Sequence, residues 1–310
     1  MFPAEYPFHS ALCAAAMQEK PGIHQENSHH VPSNAISLPD AATNIAKIAE
    51  GKNMPAPQGT QNTLSAEKSN LTADNSDEAA ALRAMGVRNV QLQECHPMYR
   101  KEVLAAIQSM CNQYPELQAQ LHTVTCFEFG TSSALASYAP TQRDEIFGGV
   151  LKLNAAYFRE SSLPEKLNEL GKEGHFIPNS DVQSLIKHEL GHGLELNLCA
   201  VANHAEYGKQ LPEITYNTIA MEYGQKKIAG RIVDSACRDC GISFNRQNLA
   251  PLLSAYGAEN KSEAFAEGIS EVNTSPNPRP LAVAISKRFL EFQNHANEAG
   301  FPNLPFPKAT

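Results

Sequence analysis

The chain has 310 residues, of which 42% are hydrophobic and 19% are charged, so most of it can fold around a buried core. Its net charge of −8 argues against nucleic acid as the main partner, because phosphate binding needs a basic surface. The 7 cysteines are odd in number and sparsely spaced, which does not fit a disulfide framework and favours a reducing compartment.

The N-terminal region differs in composition from the rest of the chain. From residue 18 to about residue 76 it is rich in Ser, Asn, Gln, Ala and Pro and poor in large hydrophobic residues. Such a segment cannot bury enough surface to offset its conformational entropy, so we predict a disordered leader over residues 1–80. The apolar stretch at 11–17 is too short for an export signal and follows no basic residue. We therefore expect secretion without a cleavable signal peptide or, alternatively, a cytoplasmic protein, and in either case no membrane span.

Hydrophobic periodicity and turn residues predict the elements of the first half of the folded region. In chain order these are a helix that Gly86 ends, a strand within 87–94, a helix over 97–114, a strand over 121–129, a loop around Pro140, a strand over 148–154 and a short helix over 164–170.

Helices dominate the second half. Ser180 and Gln183 match a capping box after Pro178, which predicts a helix that runs through residue 197. Further helices are predicted over 215–233, after Asn260 and over 281–294, before a proline-broken tail at 301–310. Because strands come first and helices afterwards, we expect an α+β domain over 81–300, with the sheet in 81–200 and a helical part in 201–300.

The sequence "HELGH" lies inside the helix that begins near residue 180. His188 and His192 are four residues apart, so their imidazoles point from one helix face at a common position, where they suit zinc. Glu189 is offset by one residue and can stand beside the metal, take a proton from a water molecule and return it to a leaving amine. This is the His-Glu-x-x-His arrangement of zinc hydrolases. The alternative, histidines with no ligand role, gives Glu189 no function.

A catalytic zinc ion needs a third protein ligand, for which the chain offers three candidates: His204, the Cys237/Cys240 pair, and Glu263 with Glu267. Glu263 and Glu267 are four residues apart on an apparent helix. One can bind the metal while the other holds a ligand histidine in its proper tautomer. Alternatively, Glu263 completes a capping box with Asn260 and both carboxylates face solvent.

"HELGH" followed by "YGAENKSEAFAE" resembles the anthrax lethal factor–like zinc metallopeptidases, a gluzincin-type family that includes the Pro-Pro endopeptidases. The resemblance covers about residues 145–295 and implies a zincin-like fold with one zinc ion per chain. It implies the following roles: His188, His192 and Glu263 as zinc ligands, Glu189 as general base, Glu267 as a carboxylate behind a ligand histidine, and Tyr256 as the stabiliser of the oxyanion. Without the resemblance, Tyr256 would be interpreted as a half-buried aromatic residue at a turn.

One segment departs from the family pattern. Between the zinc helix and Tyr256 the chain is longer than the family leads us to expect, and this part contains the 215–233 helix and the Cys237/Cys240 pair. It is either an insertion that shapes substrate choice or a source of metal ligands of its own.

These observations favour a zinc-dependent endopeptidase that acts on protein or peptide substrates. The polar leader fits a secreted effector that cleaves host proteins. Because zincins bind a substrate as an added strand, we expect "GGVLKLN" (148–154) to be the edge strand that receives it. Two alternatives remain: a non-catalytic zincin-like binding protein, and a zinc hydrolase that acts on a non-peptide amide.

Overall fold

A computed structural model describes residues 74–130, 134–143 and 146–299. Most of the predicted leader and the tail at 301–310 therefore lie outside the described residues. Helix α1 (Asp77–Ala84) extends across the boundary that we predicted at residue 80, and Gly86 follows it with a φ of 103°. The described residues all belong to one compact unit of the chain.

A mixed four-stranded sheet forms the β part of the described region. Its strands are β1 (Asn89–Gln91), β2 (Leu121–Phe127), β3 (Ala136–Arg143) and β4 (Ile146–Asn154), in the spatial order β1-β2-β4-β3. The first three strands in this order are parallel, and β3 pairs antiparallel with β4. The strands expected within 87–94, 121–129 and 148–154 are confirmed as β1, β2 and β4.

Two predictions about the sheet are wrong. The segment around Pro140 is strand β3 rather than a loop, and it lies at the edge of the sheet, where a proline is tolerated because its missing N–H breaks no interior hydrogen bond. Strand β4, which contains the 148–154 segment, is not an edge strand. It lies between β2 and β3 with most of its side chains buried. A continuous apolar run is typical of such an interior strand.

Helices make up most of the remaining described structure. After α1 they are α2 (Pro97–Gln113), α3 (Glu116–Gln120), α4 (Ala155–Phe158), α5 (Leu163–Lys172), α6 (Val182–Ala202), α7 (Glu213–Gly224), α8 (Lys227–Asp239), α9 (Arg246–Leu252), α10 (Lys261–Thr274) and α11 (Pro280–Ala299). The α+β class is confirmed as a largely helical fold with one small mixed sheet.

The capping box of α6 lies one residue later than predicted. The Asp181 carboxylate accepts a hydrogen bond from the Ser184 amide at 2.7 Å, and the Ser184 hydroxyl accepts one from the Asp181 amide at 2.7 Å. Ser180 instead donates its hydroxyl proton to the carbonyl of Ile177. The Ser180–Gln183 prediction is therefore wrong, although the helix itself is confirmed.

The helix predicted over 215–233 is two helices, α7 and α8. They are separated at Lys226, whose φ of 54° lies in the left-handed region and cannot continue an α-helix. Helix α9 was not predicted. It is short, and Asn245 caps it by accepting a hydrogen bond from the Asn248 amide.

Helix α6 is the central element of the core. Its residues are buried on every side except at Gln183 and Val201. It packs against β3 and β4 on one side and against α2 and α10 on others. Within the described ranges, no helix combines the length and apolarity needed to span a membrane.

Candidate metal centre

Helices α6 and α10 bring two histidines and one glutamate together. The Nε2 atoms of His188 and His192 each lie 3.2 Å from the same carboxylate oxygen of Glu263. All three side chains are buried, and one potential ligand atom from each lies within 4.8 Å of the others. This group could bind a metal ion, and it consists of the residues that the sequence predicted as ligands.

The distances from the Glu263 oxygen to the two histidine nitrogens are compatible with a small tetrahedral ion. Two ligand atoms that each lie about 2.0–2.2 Å from a tetrahedral zinc ion are about 3.3–3.5 Å apart. The two nitrogen–oxygen distances of 3.2 Å are close to that separation. Two imidazoles and one carboxylate are also a donor set that zinc uses, so the residues fit this metal.

A glycine allows the two helices to approach closely. A Cβ atom on Gly191 would lie 3.0 Å from the Cα of Ala266 on α10, so any larger residue at 191 would push the helices apart. Asn260 caps α10 by accepting hydrogen bonds from the amides of Ser262 and Glu263. Glu263 therefore lies in the first turn of α10, and its carboxylate points at the histidines rather than at solvent.

The other ligand candidates lie elsewhere. His204 is exposed just after α6, and Cys237 and Cys240 lie at the end of α8. None of the three belongs to the potential metal-binding group found among the described residues.

Glu267 lies one turn beyond Glu263 on α10. Its Oε1 is 3.4 Å from Nδ1 of His188, on the side of the ring opposite to Glu263. This is the position expected of a carboxylate that fixes the tautomer of a ligand histidine.

Tyr256 lies beside His188, with 5.7 Å between the two ring centroids. Its side chain is only 1% exposed, so it is more buried than a turn residue would be. The Tyr256 amide donates a hydrogen bond to the carbonyl of His175, which fixes the loop before α10 against the loop before α6. His175 thus has a place beside the site that the sequence did not indicate, and its ring centroid lies 6.1 Å from that of Tyr256.

Glu189 is fully buried, and neither carboxylate oxygen has a hydrogen bond of normal geometry within the described part of the chain. Burial raises the pKa of Glu189 to about 7, although His188 and His192 oppose the rise. The main chain of Tyr138 on β3 also faces this carboxylate and lowers its pKa. A buried carboxylate without a fixed hydrogen-bond partner lowers the stability of the fold, and such groups are concentrated at functional sites.

The ligand group has strongly coupled protonation. Burial lowers the pKa of His188 and of His192, but the nearby carboxylates outweigh this effect and raise the pKa values to about 9 and about 10. Burial alone would raise the pKa of Glu263, whereas the two histidines hold it well below its ordinary value. Metal binding at neutral pH must therefore release protons from the imidazoles.

Two further residues at the site were missed by the sequence analysis. Ser262 donates a hydrogen bond to the Glu195 carboxylate at 2.6 Å, and its hydroxyl oxygen lies 3.2 Å from Nδ1 of His192. Glu195 is three residues after His192, on the same face of α6. A charged residue between two leucines, Leu194 and Leu196, was the signal that could have identified it.

The tyrosines of the β3 region were also missed. Gly149 and Gly193 leave space for the Tyr138 ring between the sheet and α6, since a Cβ on Gly193 would lie 3.1 Å from that ring. Tyr223 on α7 donates its hydroxyl proton to the main-chain carbonyl of Tyr138 at 3.2 Å. The segment between α6 and Tyr256 therefore contacts the edge strand next to Glu189.

Comparisons of this chain with protein-family models, with curated proteins and with solved structures give no match.

Proposed function

We propose that the chain is a zinc-dependent endopeptidase with a zincin-like, gluzincin-type catalytic domain. One observation carries the proposal: a buried group of two histidines and one glutamate has beside it a further buried carboxylate, Glu189, that binds none of them. A purely structural metal site does not need such a carboxylate. It usually has four protein ligands, often cysteines, and no open coordination position. A hydrolytic site needs a base at this position.

His188, His192 and Glu263 would hold the metal, which leaves a coordination position for water or substrate. When bound there, zinc supplies a Lewis acid that polarises a carbonyl group and activates water. Glu189 accepts the proton of the attacking water and returns it to the leaving amine. The hydroxyl of Tyr256 donates a hydrogen bond to the oxyanion, as the family resemblance implies.

The edge strand β3, rather than β4, is the proposed binding site for the peptide. The Tyr138 carbonyl points outward from this edge, because it accepts a hydrogen bond from Tyr223 on α7. An extended peptide can pair with the same edge and place a scissile bond near Glu189, with side-chain pockets that select the sequence. Pro140 has no N–H to donate and limits this pairing toward the far end of the strand. Helix α7, in the longer segment, then forms the opposite wall and influences substrate choice.

The substrate class that we propose is protein or peptide, including host proteins if the chain is a secreted effector. The secretion proposal rests on the composition of residues 1–80 and on the family resemblance.

The test joins a metal analysis to a search for cleavage. The purified chain and the E189Q variant are analysed for bound metal and then incubated with a cell lysate in which new protein N-termini are mapped. We expect about one zinc per chain in both proteins, as befits a single catalytic site. New N-termini should appear only with the unmodified chain, disappear with a chelator and return with added zinc.

Two results would count against the proposal. If the purified chain contains no zinc after incubation with zinc, the proposed metal centre is wrong. Zinc bound by both proteins without any difference in N-termini would favour a binding protein or a hydrolase of non-peptide amides.

A further inference from the structure

Glu195 is a buried carboxylate that the proposed reaction does not use. It is 1% exposed on α6, and no lysine or arginine within the described residues forms an ion pair with it. Its Oε2 lies 4.0 Å from Nδ1 of His192, beyond hydrogen-bond distance. Its Oε2 accepts the hydrogen bond from Ser262, while its Oε1 has no hydrogen-bond partner in the described part of the chain. Burying a carboxylate in this way lowers stability, so its presence needs another explanation.

The direction of the hydrogen bonds from Glu195 to the metal group can be deduced. An ionised carboxylate only accepts hydrogen bonds, so the single hydroxyl proton of Ser262 points to Glu195. The Ser262 oxygen can then only accept a hydrogen bond from Nδ1 of His192, 3.2 Å away. With Nδ1 keeping its proton, Nε2 is the nitrogen that must give up its proton when a metal binds, and it then directs its lone pair toward the position beside Glu263.

We propose that Glu195 is a positioning residue that acts through Ser262 to hold His192 in the Nδ1–H tautomer and to increase its strength as a ligand. This inference rests on the proposed metal centre. The two histidines thus meet these carboxylates in different ways: Oε1 of Glu267 lies 3.4 Å from Nδ1 of His188, whereas Nδ1 of His192 meets the Ser262 hydroxyl, which donates to Glu195.

The position of Ser262 also links this support to the third ligand. Ser262 and Glu263 are adjacent in the first turn of α10, and the Asn260 side chain binds the amides of both. The same capped turn therefore positions the Glu263 carboxylate beside both histidines and the Ser262 hydroxyl beside Nδ1 of His192.

Zinc affinity tests the relay without any assay of activity. The apoprotein and the variants E195Q, S262A and E195Q/S262A are titrated with zinc in competition with a coloured chelator of known affinity. Outer-shell partners of ligand histidines typically contribute about 10- to 100-fold to metal affinity, so we expect a loss in that range for each single variant. The double variant should lose no more than S262A, because Glu195 acts through that hydroxyl.

The control is E271Q. Glu271 is also a buried carboxylate, but it lies on α10 and pairs with Arg279 rather than with the metal group. E271Q should destabilise the fold but leave zinc affinity unchanged. A second readout is the ¹⁵N spectrum of the His192 ring in the zinc-bound protein, which should report Nδ1–H in the unmodified chain and a weaker Nδ1–H hydrogen bond in S262A.

The outcomes separate this inference from the proposed function. If the unmodified chain binds zinc and both single variants bind it equally well, the relay is wrong and the metal centre stands. Additive losses in the double variant would also overturn the relay, because Glu195 would then act independently of Ser262. An unmodified chain that fails to bind zinc would overturn both proposals.

Discussion

Glu189 and the ligand His188 are neighbours in sequence but have different surroundings. Successive residues of an α-helix point about 100° apart around its axis, so a residue next to a ligand lies beside the metal and not on it. His188 meets Glu263 and Glu267 on α10, whereas Glu189 faces the main chain of Tyr138 on β3. Glu189, the proposed base, is therefore on the side of the metal group where the edge strand passes.

At the same scale, Tyr256 provides a test of the proposed oxyanion stabilisation. The variant Y256F keeps the ring beside His188 and Phe176 and removes only the hydroxyl. Because removal of one oxyanion donor lowers kcat by about 10²- to 10³-fold, we expect a loss in that range with little change in KM. Zinc content should not change. The measurement is steady-state kinetics on a peptide taken from a mapped cleavage site.

Tyr207 supplies the matched control for that variant. Its buried hydroxyl has no hydrogen-bond partner among the described residues, and its ring stacks on Phe147 rather than on a residue of the metal group. Y207F should keep normal kinetics. Equal kcat values for Y256F and the unmodified chain would remove Tyr256 from the mechanism.

At the scale of elements, the site depends on how closely α6 and α10 approach each other. Gly191 lies where α6 meets Ala266, and the ligand side chains come from both sides of this contact. The separation of the helices therefore sets the separation of the ligands.

Alanine at Gly191 should disturb both the fold and the site. Its Cβ would lie 3.0 Å from the Cα and 3.3 Å from the carbonyl oxygen of Ala266. Both are backbone atoms, so relieving the contact requires α10 itself to shift. Overpacking of this kind lowers the free energy of unfolding by about 1–3 kcal/mol, and we also expect weaker zinc binding. Urea unfolding and zinc titration measure the two effects.

Gly230 on α8 is the control for that substitution. A Cβ there would be 3.6 Å from the Cδ atom of Lys261, which is an ordinary van der Waals distance. G230A should therefore raise the free energy of unfolding by about 0.5–1 kcal/mol, as alanine does relative to glycine inside a helix. A stable, zinc-binding G191A protein would contradict the role given to this helix contact.

The edge strand gives a prediction about substrate binding. The Tyr223 hydroxyl donates a hydrogen bond to the outward carbonyl of Tyr138. A bound peptide would need the same carbonyl as an acceptor. In Y223F that carbonyl is free, and since one such hydrogen bond contributes about 0.5–1.5 kcal/mol, we expect KM to fall by about 2- to 10-fold. A KM that rises instead would mean that the hydroxyl itself contacts the substrate.

The difference between the elements that could be predicted and those that could not has a physical cause. The spacing of His188, Glu189 and His192 is local, so helical periodicity alone indicated their common site. The role of Glu263 depends on a helix more than 70 residues away, and the residue pattern left other ligands open until the family resemblance was considered.

Other features depend on tertiary structure in ways that local sequence does not encode. Pro140 suggested a loop because its tolerance in β3 depends on that strand being at the edge of the sheet. The Ser262–Glu195 contact joins side chains 67 residues apart, and the interior position of β4 depends on which strands flank it. Each of these became visible only once the pairing partners were known.

At the scale of the whole molecule, the last helix is tied to the segment that follows α7. Arg288 on α11 donates two hydrogen bonds to the Asp239 carboxylate at the end of α8, at 2.6 and 2.5 Å. The hydrogen bonds from Arg288 lower the pKa of Asp239 from its ordinary value of 3.8. Because the folded pKa is below the unfolded one, this stabilisation is complete above about pH 4 and is lost as the pH falls through the folded pKa.

The variant D239N should remove that acid dependence. At pH 7 it should lower the free energy of unfolding by about 1–2 kcal/mol, since a charge-assisted pair is lost. The deficit should shrink as the pH is lowered from 5 to 2, because the unmodified chain loses the same interaction. Urea unfolding at several pH values gives the comparison. E206Q, which breaks the exposed Lys209 pair, should have almost no effect, and a constant deficit in D239N across that range would contradict the assignment.

Metal removal is expected to act on the stability of the whole fold. A ligand that binds only the folded state adds about 4 kcal/mol to the free energy of unfolding at a free concentration of 1,000 times its Kd. Chelation should therefore lower the Tm of the unmodified chain but leave that of His192→Ala unchanged. A Tm that does not respond to the chelator in either protein would mean that no metal contributes to the fold.

The distance along the chain between the ligands also has a kinetic consequence. Glu263 is 75 residues from His188 and 71 from His192, and the intervening chain includes α7, α8 and α9. Closing a loop of that length precedes the formation of the ligand group, so we expect metal uptake to report a late stage of folding. During synthesis, a chain that has not yet reached α10 carries His188, His192 and Glu189 but not Glu263. Hydrolytic competence would then be acquired only when nearly the whole domain has been made and has folded.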